Sequence, residues 1–126
     1  MQLIGNGDNA NLANNDFLGP SANKADANEA KVQGMIGGAD ATTYTVSSFR
    51  ARIATAPGAS KSWVFTVRKN GANTTMTCTI TGAATQCATT ANSFSVTAGD
   101  LLSVQVAAVS GPAGTAGVFV TWQLTP

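Results

Sequence analysis

Apolar and polar residues alternate with a period of two through most of this chain, and the clearest example is Lys61 to Cys87, KSWVFTVRKNGANTTMTCTITGAATQC. Trp63, Phe65 and Val67 fall on one face, with Val64, Thr66 and Arg68 on the other, as expected of a strand with one side buried. Asn70-Gly71 supplies two residues that tolerate positive φ, the requirement of a tight hairpin turn. The run Thr74 to Thr81 then places Met76, Cys78 and Ile80 on one face and Thr75, Thr77, Thr79 and Thr81 on the other. The pattern predicts a hairpin.

The same alternation extends to both sides. Tyr44 and Val46 share a face, Ser47-Ser48 marks a break or bulge, and Phe49, Ala51 and Ile53 resume the pattern with Arg50 and Arg52 facing out. Pro57-Gly58 reads as the turn that closes this strand. After the hairpin come Phe94 and Val96, a turn at Ala98-Gly99-Asp100, and a buried row of Leu102, Val104 and Val106. Gly111-Pro112 and Gly114 mark a loop, and the last strand sets Val118, Val120, Trp122 and Leu124 against Phe119, Thr121 and Gln123. Many short strands with no stripe of helical spacing predict an all-β antiparallel sandwich over residues 40–126.

Residues 1–39 break the pattern. They hold Asp8, Asp16, Asp26 and Glu29 among many Asn, Ala and Gly, with short apolar patches at Leu3-Ile4, Phe17-Leu18 and Val32 to Ile36. We read them as an extended N-terminal arm with at most two short strands, docked on the main body or on a neighbouring subunit. ADANEAKVQ could add one helical turn before Gly34, Gly37 and Gly38 end it. Leu3, Ile4, Phe17 and Leu18 are the candidate attachment residues of this arm.

Composition removes several functions. The 126 residues suffice for one core, 10% are charged and the net charge is +1, so neither nucleic acid nor an anionic membrane is an expected partner. No apolar run reaches membrane-spanning length, and the opening MQLIGNGDNANLANN has no secretion signal. With no histidine, nucleophilic triads lack their usual base, and two cysteines alone do not complete a zinc site. Asp8 with Asn6 and Asn9 lacks the spacing of a calcium loop and reads as solvated polar chain. No catalytic residue, metal or cofactor is expected. Asp100 is a turn residue after Gly99, and Lys69 a solvated hairpin end.

Cys78 and Cys87 are candidates for a structural disulfide. A two-residue Gly82-Ala83 loop would pair Thr81 with Ala84, Ile80 with Thr85, Thr79 with Gln86 and Cys78 with Cys87 across one ladder. That last position is non-hydrogen-bonded, where side chains approach closely enough for a cross-strand bridge. A pair of buried reduced thiols is the alternative, since spacing does not report oxidation state.

The succession ARIATAPG, KSWVFTVRKNG, TTMTCTITGAATQC, NSFSVTAGDLLSVQV and VFVTWQL resembles a group of phage-associated jelly-roll domains of virion-surface proteins, with the shape of tumour-necrosis-factor-like heads. The resemblance covers about residues 42 to 125, with FTVRKNG and AGD as its most specific parts, and DFLGP followed by NEAKVQ is similar to the first strands of that pattern. It implies a jelly roll of about eight strands, a homotrimer and a place on the virion, where the partner would be the major capsid protein of a phage. A chain that opens on its own methionine and carries an arm and one domain suits a capsid decoration protein on the head, acting by avidity. The alternative is a receptor- or carbohydrate-binding module at a tail-fibre tip, for which exposed aromatics in a cleft would be expected. Tyr44 and Phe119 are the aromatics available for that role.

Overall fold

The structure is a computed structural model that describes residues 11–20 and 24–126 in full and residues 2–8 as backbone. Two antiparallel sheets pack face to face as a β-sandwich, and the only helical element among the described residues is a 3-10 turn at Glu29–Lys31. The strands are β1 (Gln2–Asp8), β2 (Phe17–Leu18), β3 (Gly34–Met35), β4 (Thr43–Arg52), β5 (Gly58–Lys69), β6 (Ala72–Gly82), β7 (Gln86–Thr89), β8 (Phe94–Thr97), β9 (Leu101–Val109) and β10 (Val118–Thr125). The first sheet has the order β1-β10-β4-β7 with β8 also on β4, and the second has the order β2-β9-β5-β6 with β3 also on β9.

Pairing is nested about the centre of the chain. β5 pairs with β6, β4 with β7 and β8, β9 with β2 and β3, and β10 with β1. The innermost reversal is Asn70-Gly71, with φ of 50° and 78°, so both central residues take the left-handed conformation that the sequence suggested there. β4 carries the bulge anticipated at Ser47-Ser48: the register slips opposite Thr121 and Gln123, and Ser48 has φ 53°.

Alternation along each strand decides the core. The first sheet turns Val46, Phe49, Ala51, Val118, Val120, Trp122 and Leu124 inward, and the second answers with Trp63, Phe65, Val67, Met76, Cys78, Ile80, Leu102, Val104 and Val106, all buried. Each fully buried side chain of this size contributes roughly 1.5–3 kcal/mol relative to exposure. The outward partners on β6, from Thr75 to Thr81 in steps of two, are exposed, as the two-residue period requires.

The described part of residues 1–39 carries more strand than the two short ones expected of an arm. It contributes three strands to the two sheets, and Leu12, Leu18, Val32 and Ile36 are buried. Close approach of backbones makes this possible at Gly19, where a Cβ would meet the Val32 carbonyl oxygen at 1.8 Å. Isolated short apolar patches give no period to read, yet Leu18, Val32 and Ile36 from two of them find slots in the core. The arm therefore docks on the body of its own chain.

Candidate functional site

Cys78 and Cys87 are bonded, with Cα atoms 5.8 Å apart. The bond does not lie across a hairpin ladder. Cys78 is opposite Phe65 in the second sheet, and Cys87 is opposite Ala51 in the first. The reversal at Gly82-Ala83 does form, with Ala84 N donating to Thr81 O at 3.2 Å and Gly82 at φ 66°, but the chain then leaves β6. Ile53 N donates to Thr85 O at 2.8 Å and β7 continues along β4, so the expected pairings of Thr81 with Ala84 and Ile80 with Thr85 as a ladder are absent. The disulfide is a staple between sheets.

Arg68, on the strand face opposite Trp63, Phe65 and Val67, is the centre of a polar cluster that alternation alone does not reveal. Its Nε lies 2.8 Å from Glu29 Oε1, with the two side chains 15% and 16% exposed. Ser103, buried on the neighbouring strand, donates to the same oxygen at 2.6 Å. Arg68 also donates to Gly71 O and to Asn73 Oδ1, and its guanidinium carbon sits 5.4 Å from the centre of the Phe17 ring. Burial opposes ionisation of Glu29, but the hydrogen bonds from Arg68 and Ser103, with the Arg68 charge, outweigh it and hold its pKa below the ordinary value. Asn28 places Glu29 by capping the 3-10 turn, its Oδ1 accepting from Ala30 N at 3.1 Å. That Asn-Glu sequence was legible as a turn start, whereas its partner lies 39 residues away.

A second polar tie braces the same end of the sandwich. Asp100 Oδ2 accepts from Thr97 N at 2.8 Å inside its turn, as a turn residue should. Lys69 is not a solvated end: Nζ donates to Ser95 O at 3.0 Å and lies 3.2 Å from Asp100 Oδ2. Asn70 Nδ2 donates to Asp100 Oδ1 and Asn70 Oδ1 accepts from Leu101 N, each at 2.8 Å. The Thr97 hydrogen bond first, then Asn70 and Lys69, lower the Asp100 pKa to about 2.

Of the candidate attachment residues, Leu18 is 1% exposed within the core and Phe17 is half-buried beneath Arg68, so both are committed inside the chain. Their short apolar patch looked like a docking tag because sequence cannot distinguish a core slot in the same chain from one in a neighbour. The side chains of Leu3 and Ile4, and those of Asn6, Asp8 and Asn9, lie outside the described residues. Tyr44 packs against the core, and Phe119 remains 55% exposed.

Two outer faces remain, and they differ in chemistry. On the second sheet, β6, β5 and β9 form a grid whose rows are Thr81, Ser62, Val109; Thr79, Val64, Ala107; and Thr77, Thr66, Gln105. No charge occurs in it. The hydroxyls are already joined in plane, Ser62 with Thr81 at 3.0 Å and Thr66 with Thr77 at 3.2 Å. On the first sheet, Arg52 lies opposite Phe119 and Gln86, and Arg50 opposite Thr121 and Ala88. Both arginines are exposed, and the described carboxylates within ion-pair reach of a cation belong to Lys31, Arg68 and Lys69.

No group of three or more His, Cys, Asp or Glu among the described residues could hold a metal ion, and no helix among them is long and apolar enough to cross a membrane. Comparison with protein-family models, with curated proteins and with solved structures finds no match to this chain.

Proposed function

We propose that this chain is a non-enzymatic virion structural protein, a jelly roll that decorates a phage head as a homotrimer and reinforces the shell. The strand orders support the jelly-roll reading. Taking β2 with β3 and β7 with β8 as interrupted strands, the sheets run first-eighth-third-sixth and second-seventh-fourth-fifth, the order produced by rolling up one long hairpin about Asn70-Gly71. The sequence resemblance supports the virion setting.

The observation that carries self-association is the uncharged grid on β6, β5 and β9. Uncharged faces from three copies can gather about a threefold axis without repulsion, and the hydroxyls of Ser62 with Thr81 and of Thr66 with Thr77 already satisfy one another. Charged ties brace the opposite corner of that sheet, so the face is held rigid before association. The end carrying Met35, 71% exposed beside the Lys69–Asp100 brace, is the base we assign to the shell. Three bases tied together raise effective concentration at adjacent capsid sites, so weak single contacts suffice.

Light scattering on the purified chain tests the assembly, with a trimer expected at micromolar concentration and a monomer for Val64→Arg. Capsids lacking the protein test the partner: the wild type should bind them, and Val64→Arg should bind far more weakly. A monodisperse wild-type monomer, or wild-type trimers with no affinity for capsids, would overturn the corresponding half of the proposal.

A further inference from the structure

The outer face of the first sheet carries a depression of about 380 Å³, lined by Ser48, Phe49, Arg50, Ala88, Thr89, Thr90, Thr121 and Gln123. Its cause is local. β7 pairs with β4 over Phe49 to Arg52 and β8 over Thr43 to Val46, so Ser47 and Ser48 face a gap between those two strands. The β4 bulge falls at the same place, and the chain turns away beyond Thr89, whose Oγ1 accepts from Ala91 N at 3.2 Å. A missing stretch of edge strand beside a bulge leaves a hollow.

Among the described residues, Arg50 is the single charged group lining that hollow. Its cross-strand neighbours are Ala88 and Thr121, neither of which competes for the guanidinium as a carboxylate would. Asp26, Glu29 and Asp100 are engaged elsewhere, and Asp16 Oδ2 accepts from Ala13 N at 2.8 Å. Hydroxyls and amides from Ser48, Thr89, Thr90 and Gln123 line the remaining wall. The volume is at the lower end of small-molecule pockets, roughly 300–1,000 Å³.

We propose that this hollow binds a carboxylate-bearing sugar, a uronic acid residue of an acidic saccharide, with its carboxylate on Arg50 and its hydroxyls on the Ser, Thr and Gln wall. One guanidinium suits a monoanion and forms a bidentate pair with a carboxylate. The polar wall suits a polyhydroxylated body better than an aliphatic acid, which would leave those groups without partners. The site lies on the opposite sheet from the uncharged grid, so it stands or falls independently of self-association.

Titration calorimetry of the full chain with glucuronate and galacturonate disaccharides, a neutral glucose disaccharide and inorganic phosphate tests it. Binding of a uronate disaccharide is expected, at least about tenfold tighter than the neutral sugar or phosphate, since a charge-assisted hydrogen bond is worth about that factor or more. Arg50→Ala should lose about tenfold, and Arg52→Ala, one rung away on the same face, should change affinity by less than about twofold. Ala88→Glu provides a second variant, because a carboxylate opposite Arg50 occupies the guanidinium and blocks the ligand. Absence of uronate binding at millimolar concentration, equal affinity for the neutral sugar or phosphate, or equal losses for Arg50→Ala and Arg52→Ala would overturn the proposal.

Discussion

Cys78 and Cys87 join the two sheets, the first from a strand beside Phe65 and the second from a strand beside Ala51, although only nine positions separate them. The bond fixes the point where the chain crosses from one layer to the other. A loop this short is expected to contribute about 2–3 kcal/mol through the unfolded state. Urea unfolding with and without reductant should show that loss as a lower midpoint. Thiol titration of the unfolded chain without reductant should find no free thiol, and finding two would refute the bond.

Glu29 and Arg68 hold the N-terminal segment against the second sheet. Glu29→Gln leaves Arg68 and the buried Ser103 with a weaker acceptor, and the expected cost is about 1–3 kcal/mol. Amide exchange should quicken first around Asn28 to Gln33, before the central strands respond. Uniform acceleration throughout would show that the segment does not open separately.

Leu18 tests whether residues 1–39 belong to the core. Leu18→Ala should lower global stability by about 2–5 kcal/mol in a single unfolding transition, because the side chain is 1% exposed among core residues. An unchanged midpoint would instead describe a detachable arm.

Asp100 supplies a pH dependence whose sign follows from its lowered pKa. A carboxyl at about 2 when folded, against an ordinary 3.8, favours the folded state fully at neutral pH. That contribution fades as pH falls from about 4 towards 2. Asp100→Asn should therefore be less stable than the wild type at pH 6, and the two urea midpoints should converge near pH 2. A gap that stays constant would mean that the carboxylate charge is not involved.

Gly71 marks the tip of the nested pairing, and at φ 78° it favours glycine. A Cβ there has room, with Glu29 Oε2 at 3.9 Å as its nearest neighbour, so Gly71→Ala should cost only the backbone preference, about 1–2 kcal/mol. Thermal unfolding measures it, and a much larger loss would reveal a packing role.

Period-two alternation was enough to place Trp63, Phe65, Val67, Met76, Ile80, Leu102, Val104, Val106, Val120 and Trp122 inward, because a strand's own geometry sends successive side chains to opposite faces. Asn70-Gly71, Ser47-Ser48 and Gly99-Asp100 were legible for a similar reason, since their backbone and side-chain preferences act within a few residues. Lys69 reads as a solvated hairpin end, and the ion pair of Arg68 has no local signal, because Ser95 and Glu29, which hold them, arrive from distant parts of the chain. The hollow at Arg50 had no sequence signature beyond its bulge, for it depends on where β7 stops and β8 begins.

The amino-acid sequence by itself determined which side of each strand is buried and where the chain can reverse. Tertiary structure decided which layer each strand joins. After the turn at Gly82-Ala83, the backbone groups of β7 could be satisfied by β6 or by β4, and the local turn signal points to β6. Packing both apolar faces into one core selects β4, and that choice turns the cysteine pair of Lys61 to Cys87 from a ladder rung into a staple between sheets.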